Sequence, residues 1–490
     1  MNKTIDFFYE ISKIPRPSGH EEKIRDFLID FAKNRGLEYE TDKFFNVTIK
    51  KRSKSKEKKN KFLILQAHTD MVCEANKEFD FLSSPIKIIK DGDFLKADET
   101  TLGADNGIGL SMILSILDDE NLDTPNLECL FTTQEETTML GAKNINMRNL
   151  KAKAVLSIDG SDEGMIECSS ASMDVLRLRA NYEKAKTFED KSMYTINIKN
   201  FLGGHSGTDI AKNRQNAIKI LFEILKPQVD NIQIKSVFGG GKSNAIPRDC
   251  SCTFLTNNLD KTTVLNEIKK IENRIKNDEP EAEIEFVDHN KKMNNSSSLS
   301  AIDTKRLINY INNFQNGVLV FDEEDKTFPV LSDNLAQIQV FNLKAEIILS
   351  ARSSKEQLRQ SRLQEIVHQA SVHYFDFDMI SSAPFFEKKK DSYLQKVLSK
   401  TYYELYNKNA TITGVHGGLE GGVFDSRCAD LDICVIAPNI YDLHSPKERV
   451  SLSSVDRVYK WLECIVESFW FFIKLIKDIL YQNIICNTKK

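Results

Sequence analysis

Residues able to bind metal and move protons stand where apolar runs or glycine turns end: His68 and Asp70, Asp105, the pair Glu135 and Glu136, Asp159 and, far downstream, His444. Imidazoles and carboxylates are the ligand types that hold two divalent cations sharing a carboxylate bridge, with a further carboxylate free to handle protons. The chemistry implied is metal-assisted hydrolysis. A Lewis acid lowers the pKa of a water and a carboxylate accepts its proton.

Each residue alone has a plainer reading. His68 and Asp70, two apart on an extended segment, face the same way, so the carboxylate can accept the second ring N–H of the imidazole and fix its tautomer. That pairing is common by chance. Asp105 at a glycine-flanked helix start serves equally well as an N-cap, and Asp159 after its strand as a cap or turn residue. Glu135 and Glu136 alone read as an acidic helix start; at a bent strand end, one can bind metal while the other meets a water. His444 alone is an ordinary loop histidine. Their combination in order makes the hydrolytic reading the stronger one.

The elements that must position them follow from periodicity. Phe62-Leu-Ile-Leu-Gln-Ala-His68, Leu127-Glu-Cys-Leu-Phe131 and Val155-Leu-Ser-Ile158 read as buried strands, each delivering polar residues to the carboxyl edge of a sheet. Gly103-Ala-Asp105 opens a helix through Leu110, Ile113 and Ile116. Upstream, Ile5, Phe8, Tyr9 and Ile11 mark one amphipathic helix, and Ser18 with Glu21 marks the capping box of a second. Lys50 to Lys61 reads as a solvated loop. From about 175 to 385 the pattern changes to a βαββαβ set, a polar segment and a second set of similar order, which suggests an inserted, internally duplicated domain. The chain then returns with a helix at Leu394 to Tyr406, a strand at Asp432 to Ile436 and a closing helix from Val455.

The expected fold class is therefore α/β: a discontinuous catalytic domain, a mixed sheet flanked by helices, over 1–174 and 386–490, with an α+β lid or dimerisation domain inserted over 175–385. At 490 residues the chain exceeds the usual size of one core. A net charge of -4 gives no reason to expect nucleic acid or anionic membrane as partner. Nine scattered cysteines without a CxxC pair suit free thiols in a cytoplasm. The apolar run Phe469-Trp470-Phe471-Phe472-Ile473 is cut by Lys474 and Lys477, too short and charged to span a bilayer, and reads as a packed C-terminal helix.

Seven motifs in order resemble one family across nearly the whole chain. They are Ile14-Pro-Arg-Pro-Ser-Gly-His-Glu-Glu22, Leu65-Gln-Ala-His-Thr-Asp-Met-Val72, Thr101-Leu-Gly-Ala-Asp-Asn-Gly-Ile-Gly109, Gly203-Gly-His-Ser-Gly207, Asn244-Ala-Ile-Pro-Arg248, His416-Gly-Gly-Leu-Glu420 and His444-Ser-Pro446. Together they are similar to the aminoacyl-histidine dipeptidases, a branch of the dizinc aminoacylase and carboxypeptidase superfamily. The resemblance implies two divalent metal ions, Zn2+ first and Mn2+ or Co2+ as alternatives. Asp105 would bridge them, with His68 and Asp159 on one and Glu136 and His444 on the other. It implies Glu135 as general base and proton donor, Asp70 orienting His68, and His205 stabilising the tetrahedral oxyanion. Asn244, Arg248 and Arg352 become candidates for gripping the peptide carbonyl and terminal carboxylate, and His416 and Glu420 for receiving the C-terminal residue. Gly421 stands where the family commonly has a cysteine.

The expected activity is hydrolysis of small peptide substrates, preferring Xaa-His dipeptides including β-alanyl-histidine, in the cytoplasm, with a homodimer compatible. A broader dipeptidase, tripeptidase or N-acyl amino acid hydrolase on the same site remains an alternative, as does a catalytically silent binding protein.

Overall fold

Phe62–His68 is buried along almost its whole length, as a strand must be when both faces of its sheet are covered by helices. The structure is a computed structural model and describes residues 3–182, 189–323, 325–428 and 430–469. It divides into two compact units.

The first unit comprises Met1–Ser170, Phe385–Val415 and Leu419–Lys490. Its main sheet runs in the order Glu38–Thr41, Val47–Lys51, Asn126–Thr132, Phe62–His68, Ala154–Ser157, Asp432–Val435, Met165–Ser170 and Thr411–Val415. Phe62–His68 lies parallel to both its neighbours, and Ala154–Ser157 parallel to Asp432–Val435. Four central strands thus end at one edge, where an open parallel sheet presents its functional side chains. The helix Ala104–Asp118 is buried on nearly every side, packed against Lys3–Ile11 and Leu452–Ser468.

Two expectations fail here. The second helix, Glu22–Asn34, forms, but Glu21 at its N-cap makes no side-chain cap bond. Ser18 instead donates to Oδ2 of Asp70. Nor is the lysine-rich segment wholly solvated: Lys51 Nζ donates to Ile116 O and Asp119 O, and Lys58 Nζ to Asp123 O and Glu467 O. These long side chains cap carbonyls that would otherwise lack partners. Of the apolar C-terminal run, Phe469 is buried and the rest lies outside the described residues.

The second unit comprises Ala171–Pro384 and His416–Gly418. Its sheet has two halves. One runs Glu283–Asn294, Asp190–Lys199, Cys250–Thr256, Gln233–Gly239; the other runs Pro329–Phe341, Lys344–Ser353, Met173–Asn181, Asp376–Ala383. The halves meet antiparallel through Val237 and Val340, and reading each outward from that seam gives the same strand order. The second half takes a strand, Met173–Asn181, from upstream of the first, which the apolar periodicity does not mark. Its alternating Arg177 and Arg179 disguise a strand buried on the other face. Among the described residues no helix is long and apolar enough to cross a membrane.

Candidate metal centre

His68 ends its strand opposite Thr132, the last residue of Asn126–Thr132. Beyond Thr132 the chain bends at Gln134, which takes a left-handed φ of 55°, and so reaches Glu135 and Glu136. Asp159 follows Ala154–Ser157 by two residues, and Asp105 lies in the first turn of Ala104–Asp118. These side chains converge. Nε2 of His68 lies 3.0 Å from Oδ1 of Asp105 and 3.3 Å from Oδ1 of Asp159. Nε2 of His444 lies 3.3 Å from Oδ2 of Asp105 and 3.2 Å from Oε2 of Glu136. Asp105 therefore turns one oxygen to each imidazole. His68, Asp105 and Glu136 each offer a ligand atom, all within 4.8 Å of one another.

The electrostatics fit a cation. Burial and neighbouring carboxylates push the pKa values of Glu136 and Asp159 up and that of Glu135 well up. Hydrogen bonds to Asp105 and Glu136 raise His444 to about 10, while Asp159, Asp105 and Asp70 overcome burial to hold His68 well above its ordinary value. Burial disfavours ionisation of Asp105, yet the two imidazoles hold its carboxyl far below the usual range. Protons on the two rings thus answer a local excess of negative charge that divalent cations would answer better, displacing those protons. Oε1 of Glu136, buried and without a hydrogen-bond partner, is a further donor atom that suits a cation.

Asp70 does more than the sequence indicated. Its Oδ1 lies 3.4 Å from Nδ1 of His68 and accepts the Glu135 N–H at 3.0 Å. Its Oδ2 accepts from Glu136 N at 3.2 Å and from Ser18 Oγ at 2.7 Å. One buried carboxylate thereby orients a histidine and fixes the backbone of the acidic pair. Glu21 adds to this, accepting from Gly19 N and Gln134 N at 3.0 Å each.

Glu420 is not on an open substrate loop. It begins the helix Glu420–Arg427, is buried, and its Oε2 accepts from Gln66 Nε2 at 2.6 Å and Thr132 Oγ1 at 2.5 Å. Burial raises its pKa to about 8. Gln66, a polar residue inside a buried apolar strand, was the legible sign of this contact. Gly421 is explained by packing, since a Cβ there would lie 2.8 Å from the ring of Phe386.

In the second unit, Nδ1 of His205 accepts from the N–H groups of Gly207 at 3.2 Å and Thr208 at 3.4 Å. Ser206 N donates to Asn244 O at 2.8 Å, and Arg352 Nε donates to Ser206 Oγ at 3.3 Å. Arg352 is buried, and burial pulls its pKa to about 10. Burial, with Arg352 and His205 nearby, drives buried His416 down to about 3, and its Nε2 lies 2.6 Å from Ser332 Oγ. Arg248 is exposed and its Nε donates to Phe201 O at 2.8 Å, bracing the glycine turn. Of the residues predicted for substrate, His205, Arg352 and His416 cluster, whereas Asn244 joins them through its backbone.

Residues 64–468 match the model of Peptidase family M20/M25/M40. The cytosol non-specific dipeptidase of Escherichia coli is 29% identical over 463 residues, spanning 93% of this chain and 95% of that protein. Among solved structures, the aminoacylhistidine dipeptidase of Vibrio alginolyticus superposes with a TM-score of 0.84 at 26% identity, over 95% of this chain and 96% of that one. The aminopeptidase PepT of Bacillus cereus shares the fold at a TM-score of 0.55 and 13% identity, over 95% and 97% of the two chains.

Proposed function

Since the chain belongs to Peptidase family M20/M25/M40, we propose that it is a two-metal dipeptidase acting on unblocked dipeptides with histidine at the C-terminal position. The observation that carries this reading is the approach of His444 to Asp105 and Glu136, which completes a donor set begun by His68 and Asp159. His68 and Asp159 would hold one cation, Glu136 and His444 the other, and Asp105 both. When bound, the cations lower the pKa of a water and polarise the scissile carbonyl.

The rest of the chemistry belongs to the chain. Glu135, its carboxyl pushed up by burial, takes a proton from the attacking water and returns it to the departing amine. Asp70 holds the Nδ1–H of His68, its backbone carbonyl at 3.2 Å and its carboxylate at 3.4 Å, and leaves the Nε2 lone pair free for ligation. The two N–H groups aimed at Nδ1 of His205 put that ring's proton on Nε2, where it can donate to a developing oxyanion. Buried Arg352 suits the terminal carboxylate. We assign the second unit the role of a lid carrying these two groups, and the cytoplasm as the setting, as for the Escherichia coli relative.

A second reading, a dipeptidase of broad specificity, is favoured by the description of that same relative as non-specific. Hydrolysis of a dipeptide panel decides. The histidine reading expects kcat/KM for glycyl-histidine and β-alanyl-histidine to exceed that for glycyl-leucine and glycyl-alanine by about tenfold or more, a gap of about 1.4 kcal/mol. Equal values across the panel favour the broad reading. No hydrolysis by zinc-loaded protein rejects both.

A further inference from the structure

Two charged residues outside the donor set grip the segment that carries Asp105. Glu448 follows His444 by four positions and is 2% exposed. Its Oε2 accepts from Leu102 N at 2.7 Å and Gly103 N at 2.9 Å, and its Oε1 from Ala104 N at 2.8 Å and Asp105 N at 3.2 Å. Leu102 and Gly103 lead into the helix Ala104–Asp118 and Ala104 and Asp105 open it, and its N-cap, Gly103, has no side chain to satisfy their N–H groups. Arg16, also 2% exposed, lies against the same turn. Its Nη1 donates to Thr69 O at 3.0 Å and Asp70 O at 2.8 Å, and its Nη2 to Gly103 O at 2.5 Å. A Cβ at Gly103 or Gly107 would lie 2.6 or 2.7 Å from that Nη2. The two glycines are the room Arg16 occupies, which accounts for part of the Thr101-Leu-Gly-Ala-Asp-Asn-Gly motif and for the arginine of Ile14-Pro-Arg-Pro.

The guanidinium thus ties the carbonyls after His68 to the turn before Asp105. The carboxylate ties the N–H groups of that turn to the segment bearing His444. We propose that Arg16 and Glu448 are positioning residues: a two-sided clamp that fixes Asp105 between His68 and His444 and so sets the affinity of the centre for divalent cations. The inference rests on reading those three residues as ligands. Glu448→Gln keeps the size of the side chain but turns an N–H donor toward backbone N–H groups.

The test is a metal-buffered zinc titration of the chelated full-length protein, with circular dichroism and thermal melting of the metal-free form. Groups that orient ligands typically contribute about 10–100-fold in affinity, and a loss of that size is expected for Glu448→Gln. Turnover at limiting zinc should fall and recover at excess zinc, with KM for a dipeptide unchanged. Arg16→Lys should lose affinity in the same direction. Lys58→Met, which removes a buried cap on Asp123 and Glu467 in the same unit, should lower the melting temperature of the metal-free form and leave zinc affinity alone. If Glu448→Gln fails to fold, Glu448→Asp and Arg16→Lys carry the comparison. Zinc affinity within about threefold of wild type in folded clamp variants, against the 10–100-fold expected, overturns the clamp. An equal loss in Lys58→Met does so too, since affinity would then merely follow stability. A wild-type chain that binds no zinc overturns the centre itself and the clamp with it.

Discussion

Nε2 of His444 lies 3.3 Å from Oδ2 of Asp105 across 339 residues of chain. The second unit is inserted between them, so the pair meets only because Asp432–Val435 rejoins the sheet beside Ala154–Ser157. His444 is half exposed, at 52%, and adopts a left-handed φ of 59°, a conformation uncommon for a non-glycine residue. Because the side chain is half exposed, substitution by alanine should spare the fold. His444→Ala is expected to reduce tightly held metal from about two ions per chain to about one, and to lower activity beyond the roughly 100-fold typical of outer partners. Metal analysis after gel filtration, with a dipeptide assay, checks both. Unchanged stoichiometry would remove His444 from the donor set.

Glu135→Gln separates proton transfer from metal binding. The isosteric amide cannot accept a proton, and the Asp70 bond to its backbone N–H is indifferent to the side chain. Metal content should match wild type while kcat falls by about 10²–10⁴-fold, read by initial rates at saturating dipeptide. A variant that keeps wild-type kcat assigns the base elsewhere.

The buried carboxyl of Glu420 makes a prediction for the metal-free protein. Its folded pKa, raised by burial to about 8 from 4.5, means that the native state binds the proton more tightly than the unfolded chain. Stability therefore falls as pH rises from 4.5 toward 8. Asp159, Asp70, Glu135 and His68 share its surroundings, so the chelated wild type and Glu420→Gln are compared directly. Between pH 5 and pH 8 the wild type should lose on the order of a few kcal/mol more than the variant, measured by urea denaturation in chelator. Parallel curves would show that Glu420 does not titrate in this range.

What the sequence disclosed follows a physical divide. The strands ending at His68, Thr132 and Ser157 were legible because a strand buried on both faces must be apolar throughout, and the polar residues that follow stand out against it. The helix Ala104–Asp118 was equally plain. The support beneath the site was not, because its bonds join residues far apart in sequence. Ser18 and Glu21 satisfied a local capping pattern, yet bond to Asp70 and Gln134 instead. Glu420 read as a substrate contact by its place in a glycine-rich motif, and Gln66 and Thr132 claim it from beneath. Glu448 carried no signal beyond charge, and Arg16 none beyond its place in the Ile14-Pro-Arg-Pro motif. Met173–Asn181 was not legible because Arg177 and Arg179 interrupt its apolar pattern.

His68, Asp105, Glu136, Asp159 and His444 are proposed to surround a pair of cations. Anomalous diffraction at the zinc edge from zinc-loaded crystals tests this most directly. Two peaks about 3.5 Å apart are expected, one contacted by His68 and Asp159, the other by Glu136 and His444, and both by Asp105. A centre with no peak, or a peak that His444 does not touch, would contradict the account.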